Sequence, residues 1–567
     1  MSLARLRAPA EHGQILVAPP ADTWGRLVAE NAQLWRKAQL QFCGILLADW
    51  RQSMRQLVSE WAAAQLRRWG TLPAWPATGW LVTGHQPEFF HPGVWAKHIA
   101  LAEAARRLGL APLNLVADHD QPKTLALRVP TTNDHTLSVA WVPFCQAAPG
   151  LAWEEYLLSS ECGSSHSYHM QTNDSATAHV SSGAGASCCS RELLLRLPSH
   201  VLTVAGNLLP ELVLPQLWSH LALLADRFRS GGSLAELLAG ARRLWEERWE
   251  LHNGELRVST LCGAEGFLAF VAEILTNLPA FVQMHNAELA AYRREHRLRS
   301  RTHPVPPLLL EGDWCEAPFW VWCPGQPRQR LWVQRAPGMN VLRLGEHGRT
   351  LNIPLARSLN DLREFADALR AANWKIRPRA LTLTLFVRLF VAEMFIHGIG
   401  GGVYDRFTDR LLQRYWRLEP PRYAVVSATL HLPLPRPTPP PHHRDQLLHH
   451  LRDCRYNPER VLPPEIIARP EVQHLVARKR ELLRQWPGAS LEQRRALHRE
   501  LSAIRRALQP LAAVAAAQIR SALEAVAAYE EQLALAEDRE WAWVLHSDRA
   551  LTQLVARMRE EFARLGQ

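Results

Sequence analysis

An α/β protein with a parallel sheet and a helical C-terminal arm is the fold this sequence predicts. Three observations carry that expectation. The stretch from Trp80 to Asp120 reads strand, helix, strand. A second apolar run, Leu381 to Gly398, ends in four glycines within five positions, Gly398 to Gly402. Beyond Glu471 the hydrophobic residues change to heptad spacing.

In the first stretch, Trp80 to Thr83 is a short apolar run expected to be a buried strand. A loop follows from Gly84 to Gly93, marked by Pro87 and Pro92. Val94 to Leu108 has helical spacing, with Trp95, Ile99, Ala102, Ala105 and Leu108 on one face. Gly109 stops that helix, and Leu113 to Ala117 is the second strand. A βαβ unit of this length has parallel strands. Two polar clusters then fall just beyond strand carboxyl ends. His85, Gln86, Glu88, His91 and Lys97 follow the first; Asp118, His119 and Asp120 follow the second. Open α/β sheets bind ligands at that edge.

Around this unit, Thr23 to Trp69 reads as one or two helices. Thr124 to Val129 and Leu137 to Val142 alternate like strands. Leu151 to Ser190 is Ser-, Gly- and His-rich and reads as a mobile insertion, and Arg191 to Trp249 reads as helical. Leu256 to Leu261 resembles a strand, and helices are expected over Gly266 to Leu275 and Asn286 to Arg297. Leu308 to Leu331 carries an aromatic run, Trp314, Phe319, Trp320 and Trp322, expected as a strand pair; a pocket wall with Glu311, Asp313 and Glu316 is the alternative. The Gly398 to Gly402 turn offers backbone amides as an anion nest, with a helix from Val403 to Trp416 behind it. A tight turn between packed elements is the alternative there.

Pro433 to Pro441 reads as a stiff linker. Val472, Leu475, Leu482 and Trp486 pair in pattern with Leu497, Leu501, Ile504, Leu508 and Leu511, a helical hairpin that Pro510 should kink. The expected division is therefore a helical segment at 1–75 and an α/β core at 76–432. A Pro-rich linker at 433–470 and a coiled coil at 471–567 complete it. Within the core, 151–190 is the insertion and 191–250 is helical.

The chain has 567 residues, a formal charge of +11 and 47% hydrophobic residues, enough for more than one core. Its sequence pI is about 9.5, but the basic residues are scattered. No zinc-finger spacing or aromatic RNA-binding motif accompanies them, so a nucleic-acid partner is not expected. Nine cysteines without regular spacing suit free thiols in a reducing compartment. Arg388 and Glu393 interrupt Leu381 to Gly398, and the N-terminus lacks an apolar signal core. A cytoplasmic protein with no membrane partner is expected.

Thr83, Gly84 and Gln86; Asp118, His119 and Asp120; and Gly398, Gly400 and Tyr404 bring the sequence to a known family. The chain resembles the cysteine-adding enzymes of bacillithiol biosynthesis, regarded as cysteine ligases. That family has a TGQQ-type loop, a later DHD motif, a GGPGE-type segment followed by a tyrosine, and a C-terminal coiled coil. The motifs match in order from about Gly79 to the end. His85 stands where the family has Gln, His91-Pro92-Gly93 replaces Thr-Gly-Pro, and Gly401 stands in place of Glu. The resemblance implies a Rossmann-like core with inserted helical segments. It implies joining of cysteine to the amine of a glucosamine–malate conjugate, with ATP as the energy source.

Amide formation needs an activated carboxyl, a free amine and stabilisation of developing negative charge. In that reading, Lys97 and the Gly398, Gly400 and Gly401 amides hold phosphate or carboxylate. Asp118 and Asp120 orient an ammonium group or a metal, and His119 or His85 takes the proton. Thr83, Gly84, Gln86 and Tyr404 complete the binding set, and no residue is assigned as a metal ligand. Two alternatives stand beside it. Asp118, His119, Asp120, His85 and His91 are a possible metal set for hydrolysis. The coiled coil is a possible scaffold surface; such an arm mediates dimerisation or packs back on the body, and a homodimer is expected.

Overall fold

The computed structural model describes residues 6–76, 79–133, 136–159, 188–228, 232–298, 300 and 305–565. The histidine- and serine-rich part of the expected insertion, 160–187, lies outside them. The chain divides into two compact units, one of 1–131, 139–432 and 539–567, the other of 132–138 and 433–538.

A six-stranded, mostly parallel mixed sheet organises the first unit. Its strands are β1 (Ile15–Ala18), β2 (Trp80–His85), β3 (Ala111–Val116), β4 (Gly254–Arg257), β5 (Ala392–His397) and β6 (Tyr423–Ala428), in the spatial order β1-β6-β5-β2-β3-β4. β2 pairs parallel with β3 on one side and with β5 on the other, and β1 closes the edge antiparallel to β6. The chain thus leaves β2 towards β3 and β4, then returns on the opposite flank. That reversal opens a crevice at the carboxyl ends of β2 and β5.

The expected strand–helix–strand unit is present, with the helix α1 running from Pro92 to Leu108. His91 caps it, its Nδ1 accepting from the Gly93 amide at 3.0 Å. Pro92 suits the first turn, where its missing N–H costs nothing. Gly109, with φ of 65°, ends it in the left-handed region. Strand alternation sorts the side chains. Trp80, Val82, Leu113, Leu115 and Leu256 enter the large core shared with Trp50, Phe267 and Phe270. Asn114 and Glu255, out of phase with them, face the other side.

Several boundaries differ from the sequence reading. Leu256 to Leu261 is the end of β4 followed by a helical turn, Val258–Leu261. The apolar run before the glycines is a helix, Ala380–Phe390, then β5. Gly398 is the N-cap of helix α2 (Ile399–Tyr415), so Gly400 to Gly402 form its first turn rather than a loop. None of these glycines has a left-handed φ, so the expected nest is a helix N-terminus instead. A built Cβ on Gly402 would lie 2.4 Å from Val425 Cγ2; that position needs glycine so the helix can approach β6.

The aromatic run does form a strand pair, Trp314–Trp322 against Gln329–Ala336, inside an antiparallel sheet. Lys375–Pro378 joins that sheet beside Trp314–Trp322. Near the chain end, Asp548–Ala563 contacts α1.

The second unit is helical. Pro470–Gln485 and Leu491–Leu508 share a core of Val472, Leu482, Leu497, Ile504 and Leu508. Pro510 does not end the second helix: its turn tightens to 3-10 over Gln509–Ala512, and the helix continues to Ala536, 46 residues in all. By length and composition alone this helix could cross a membrane. The apolar run Leu381 to Gly398 is divided between an 11-residue helix and a strand.

Candidate functional site

The site grows from the carboxyl edge of β2, β3 and β5. Lys97 lies on α1 and is 4% exposed. Its Nζ donates to the Gly84 carbonyl at 2.8 Å, and among the described residues no carboxylate pairs with it. Burial drives its pKa down from 10.5 to about 7. Across the crevice, a Cβ on Gly398 would stand 4.0 Å from Lys97 Cδ. Lys97 therefore spans the place where β2 and β5 diverge.

At that place α2 begins without any side-chain cap. The Gly402 amide reaches the Gly398 carbonyl at 2.9 Å, which leaves the amides of Ile399, Gly400 and Gly401 as the unsatisfied donors of the first turn. A buried ammonium and an uncapped helix N-terminus side by side favour an anion.

His85 closes the near end. Its Nδ1 lies 3.0 Å from the Gln86 carbonyl and its ring meets Phe90 edge-on. Burial, then the Lys97 charge, holds its pKa well below the ordinary value, so the ring is neutral at pH 7. Gln86 links the two polar clusters: its amide nitrogen donates to the Asp120 carboxylate, and its Oε1 accepts from Trp153 at 3.3 Å.

The Asp118-His119-Asp120 triplet divides its tasks. The Asp118 carboxylate caps the Val258–Leu261 turn, accepting from the Ser259 amide at 2.8 Å and from its hydroxyl. Burial, with Glu154 adding, pushes Asp118 up to about 6. Asp120 is held by Gln86 and Arg328. His119 is buried, its pKa driven down to about 4 mainly by burial, and its Nδ1 has no hydrogen-bond partner among the described residues. That imidazole is a neutral, unpaired group in a charged wall.

Sequence reasoning missed that wall. Glu154 lies in the 3-10 turn Trp153–Glu155, whose amides bond the carbonyls of Asp118 and Asp120. Arg377 clasps Glu154 through Nε and Nη2, both at 2.9 Å, and Lys375 reaches Glu155 at 2.6 Å. Burial works to raise the Glu154 carboxyl, but Arg377 and Lys375 overcome it and hold the pKa down. The alternation Lys375-Ile376-Arg377 was the available signal, since it puts two cations on one face of a short strand.

A second missed group lies beneath. Arg242 joins Glu246 at 2.7 Å and Glu255 at 2.8 Å; Asn114 donates to Glu255 at 2.9 Å, and His98 Nδ1 meets Glu246 at 2.9 Å. This network ties α1 and the helix Leu234–Glu246 to β3 and β4. An asparagine inside the apolar strand APLNLV was its sequence signal.

The remaining sequence-derived residues are placed less centrally. Thr83 donates to the Ile396 carbonyl at 2.8 Å and so staples β2 to β5. Tyr404 is half-buried, one turn along α2 from Gly400. His91 serves as the α1 cap. Among the described residues no three His, Cys, Asp or Glu side chains assemble as a metal-ligand group.

No protein-family model matches the chain, and no curated protein matches it in sequence.

Proposed function

We propose that the protein is a C–N bond-forming ligase that joins cysteine to the amine of a glucosamine–malate conjugate, as the resemblance to the bacillithiol cysteine-adding enzymes implies. The observation that carries this reading is the meeting of Lys97 with the uncapped start of α2 at the β2–β5 crevice. A ligase of this kind must bind anionic groups, and this crevice is built for one. ATP would supply the activation of the cysteine carboxylate, whose acyl C–O bond would break with release of the activating phosphate group as the amide C–N bond forms, and the phosphates suit the Lys97 ammonium and the Ile399 to Gly401 amides.

The residues of the chain do the rest. An anion at the crevice returns Lys97 to its charged form by offsetting the burial that depresses its pKa. His85, neutral beside it, accepts the proton that the attacking amine gives up. His119 offers its unpaired Nδ1 to a polar group of the substrate, and Glu154 and Asp120 hold the cationic wall around it. On this reading the sheet is a Rossmann-like core and the helical region after Glu471 is a coiled-coil arm for a homodimer.

Purified protein incubated with ATP, cysteine and glucosaminyl malate should yield the cysteinyl amide by mass spectrometry, and Lys97→Met should yield none. Absence of product, with no thermal shift by any of the three compounds, would overturn the assignment.

A further inference from the structure

At the opposite, amino-terminal edge of the same sheet the protein has a cavity of about 670 Å³. It is lined by the starts of β2 and β3 at Trp80 and Ala111, by Glu393 of β5, and by the helices Trp24–Lys37 and Leu47–Trp69. Its size falls within the roughly 300–1,000 Å³ of small-molecule sites. We infer that this cavity is a second ligand site, separate from the β2–β5 crevice, for a small oxyanion.

The polar groups on its walls are mostly donors. Arg55 spends Nη2 on Glu393 at 2.7 Å, while its side chain stays 38% exposed. Among the described residues Arg36 forms no ion pair. The indole N–H of Trp35, a buried lining residue, has no hydrogen-bond partner. Arg51 is committed: it donates to the Leu389 and Ala392 carbonyls and to Glu393, and lies over the Trp35 ring at 4.2 Å. The lining thus sets three guanidinium groups, Arg36, Arg51 and Arg55, against two carboxylates, Glu393 and Glu60, with Gln56 donating to Glu60 at 3.1 Å, so the cations outnumber the acids. A ligand that fits is rich in acceptors and negative.

Gly79 makes the arrangement possible. Its φ of 151° suits glycine, and a Cβ there would stand 2.8 Å from Glu393 Cγ. Glu393 can therefore fold against the β2 start and hold Arg55 at the cavity mouth.

Two probes separate the sources of the oxyanion, benzoate for a carboxylate and phenyl phosphate for a phosphate ester. Calorimetry on the full chain should find saturable binding of at least one, at one site per chain. The Arg36→Gln/Arg55→Gln double variant should weaken it at least tenfold, and Ala32→Trp should abolish it by filling the space. Arg51 still pairs Glu393 in the double variant, so the fold is retained. Lys97→Met should bind the probe as the wild type does, which separates this site from the crevice. Failure of both probes to bind, unchanged binding in the double variant, or loss in Lys97→Met would each overturn the inference.

Discussion

Lys97 and Arg242 are both buried cations of the α/β unit, and their surroundings are opposite. Arg242 is met by two carboxylates, Glu246 and Glu255, which overcome burial and raise its pKa. Lys97 has the Gly84 carbonyl, and burial takes it down to about 7. A charge that is fully paired holds helices to a sheet. A charge left short of a counterion is a place where a ligand completes the structure.

That contrast is open to direct attack, and the largest effect should come from the paired cation. Arg242→Met would leave Glu246 and Glu255 buried without a partner, at a cost of about 3–5 kcal/mol. Thermal unfolding should show a loss of several degrees or more; an unchanged midpoint would mean the network does not hold the fold.

Lys97→Met should act in the reverse sense, abolishing the proposed ligation while making the fold more stable. The sign follows from proton binding. The folded value lies near 7 and the unfolded value near 10.5, so between them the unfolded chain holds the extra proton. Wild-type stability from this residue therefore rises with pH across that window. Denaturant midpoints should show the advantage of the variant greatest below pH 7 and shrinking towards pH 10.5. An advantage that does not change with pH would remove the titration from Lys97.

Ser259→Ala should cost about 1–3 kcal/mol by leaving the Asp118 carboxylate short of a donor. The loss should be larger at pH 8 than at pH 5, because Asp118, pushed up to about 6, is ionised only at the higher pH. The two glycines of the first turn of α2 should part from each other, with Gly400 giving the smallest effect of all. Gly402→Ala should cost about 1–3 kcal/mol through its clash with Val425. Gly400→Ala, with Tyr404 Cε2 at 4.0 Å, should be neutral or gain up to about 1 kcal/mol from helix propensity. If Gly400→Ala instead blocks ligand binding while stability holds, the first turn of α2 is in the site.

Local pattern told much of this. Periodicity placed α1, the flanking strands and the Gly109 stop, because those signals are written within about 20 residues of one another. It fails at Gly398 to Gly402, where a glycine cluster reads locally as a loop signal. There the close approach of Val425, distant in sequence, is what calls for glycine at position 402 of a helix. It failed too at Trp153 to Glu155, since a short turn inside a polar stretch carries no period.

From the chain alone came the parallel strand–helix–strand unit and the two polar clusters at strand ends, because alternation and capping act between near neighbours. Which cations would be answered by carboxylates could not be read there. Glu154 meets Arg377, Arg242 meets Glu255 and Lys97 meets no acid among the described residues only once distant segments are folded together. Burial then sets the cost of each charge according to who its neighbours are.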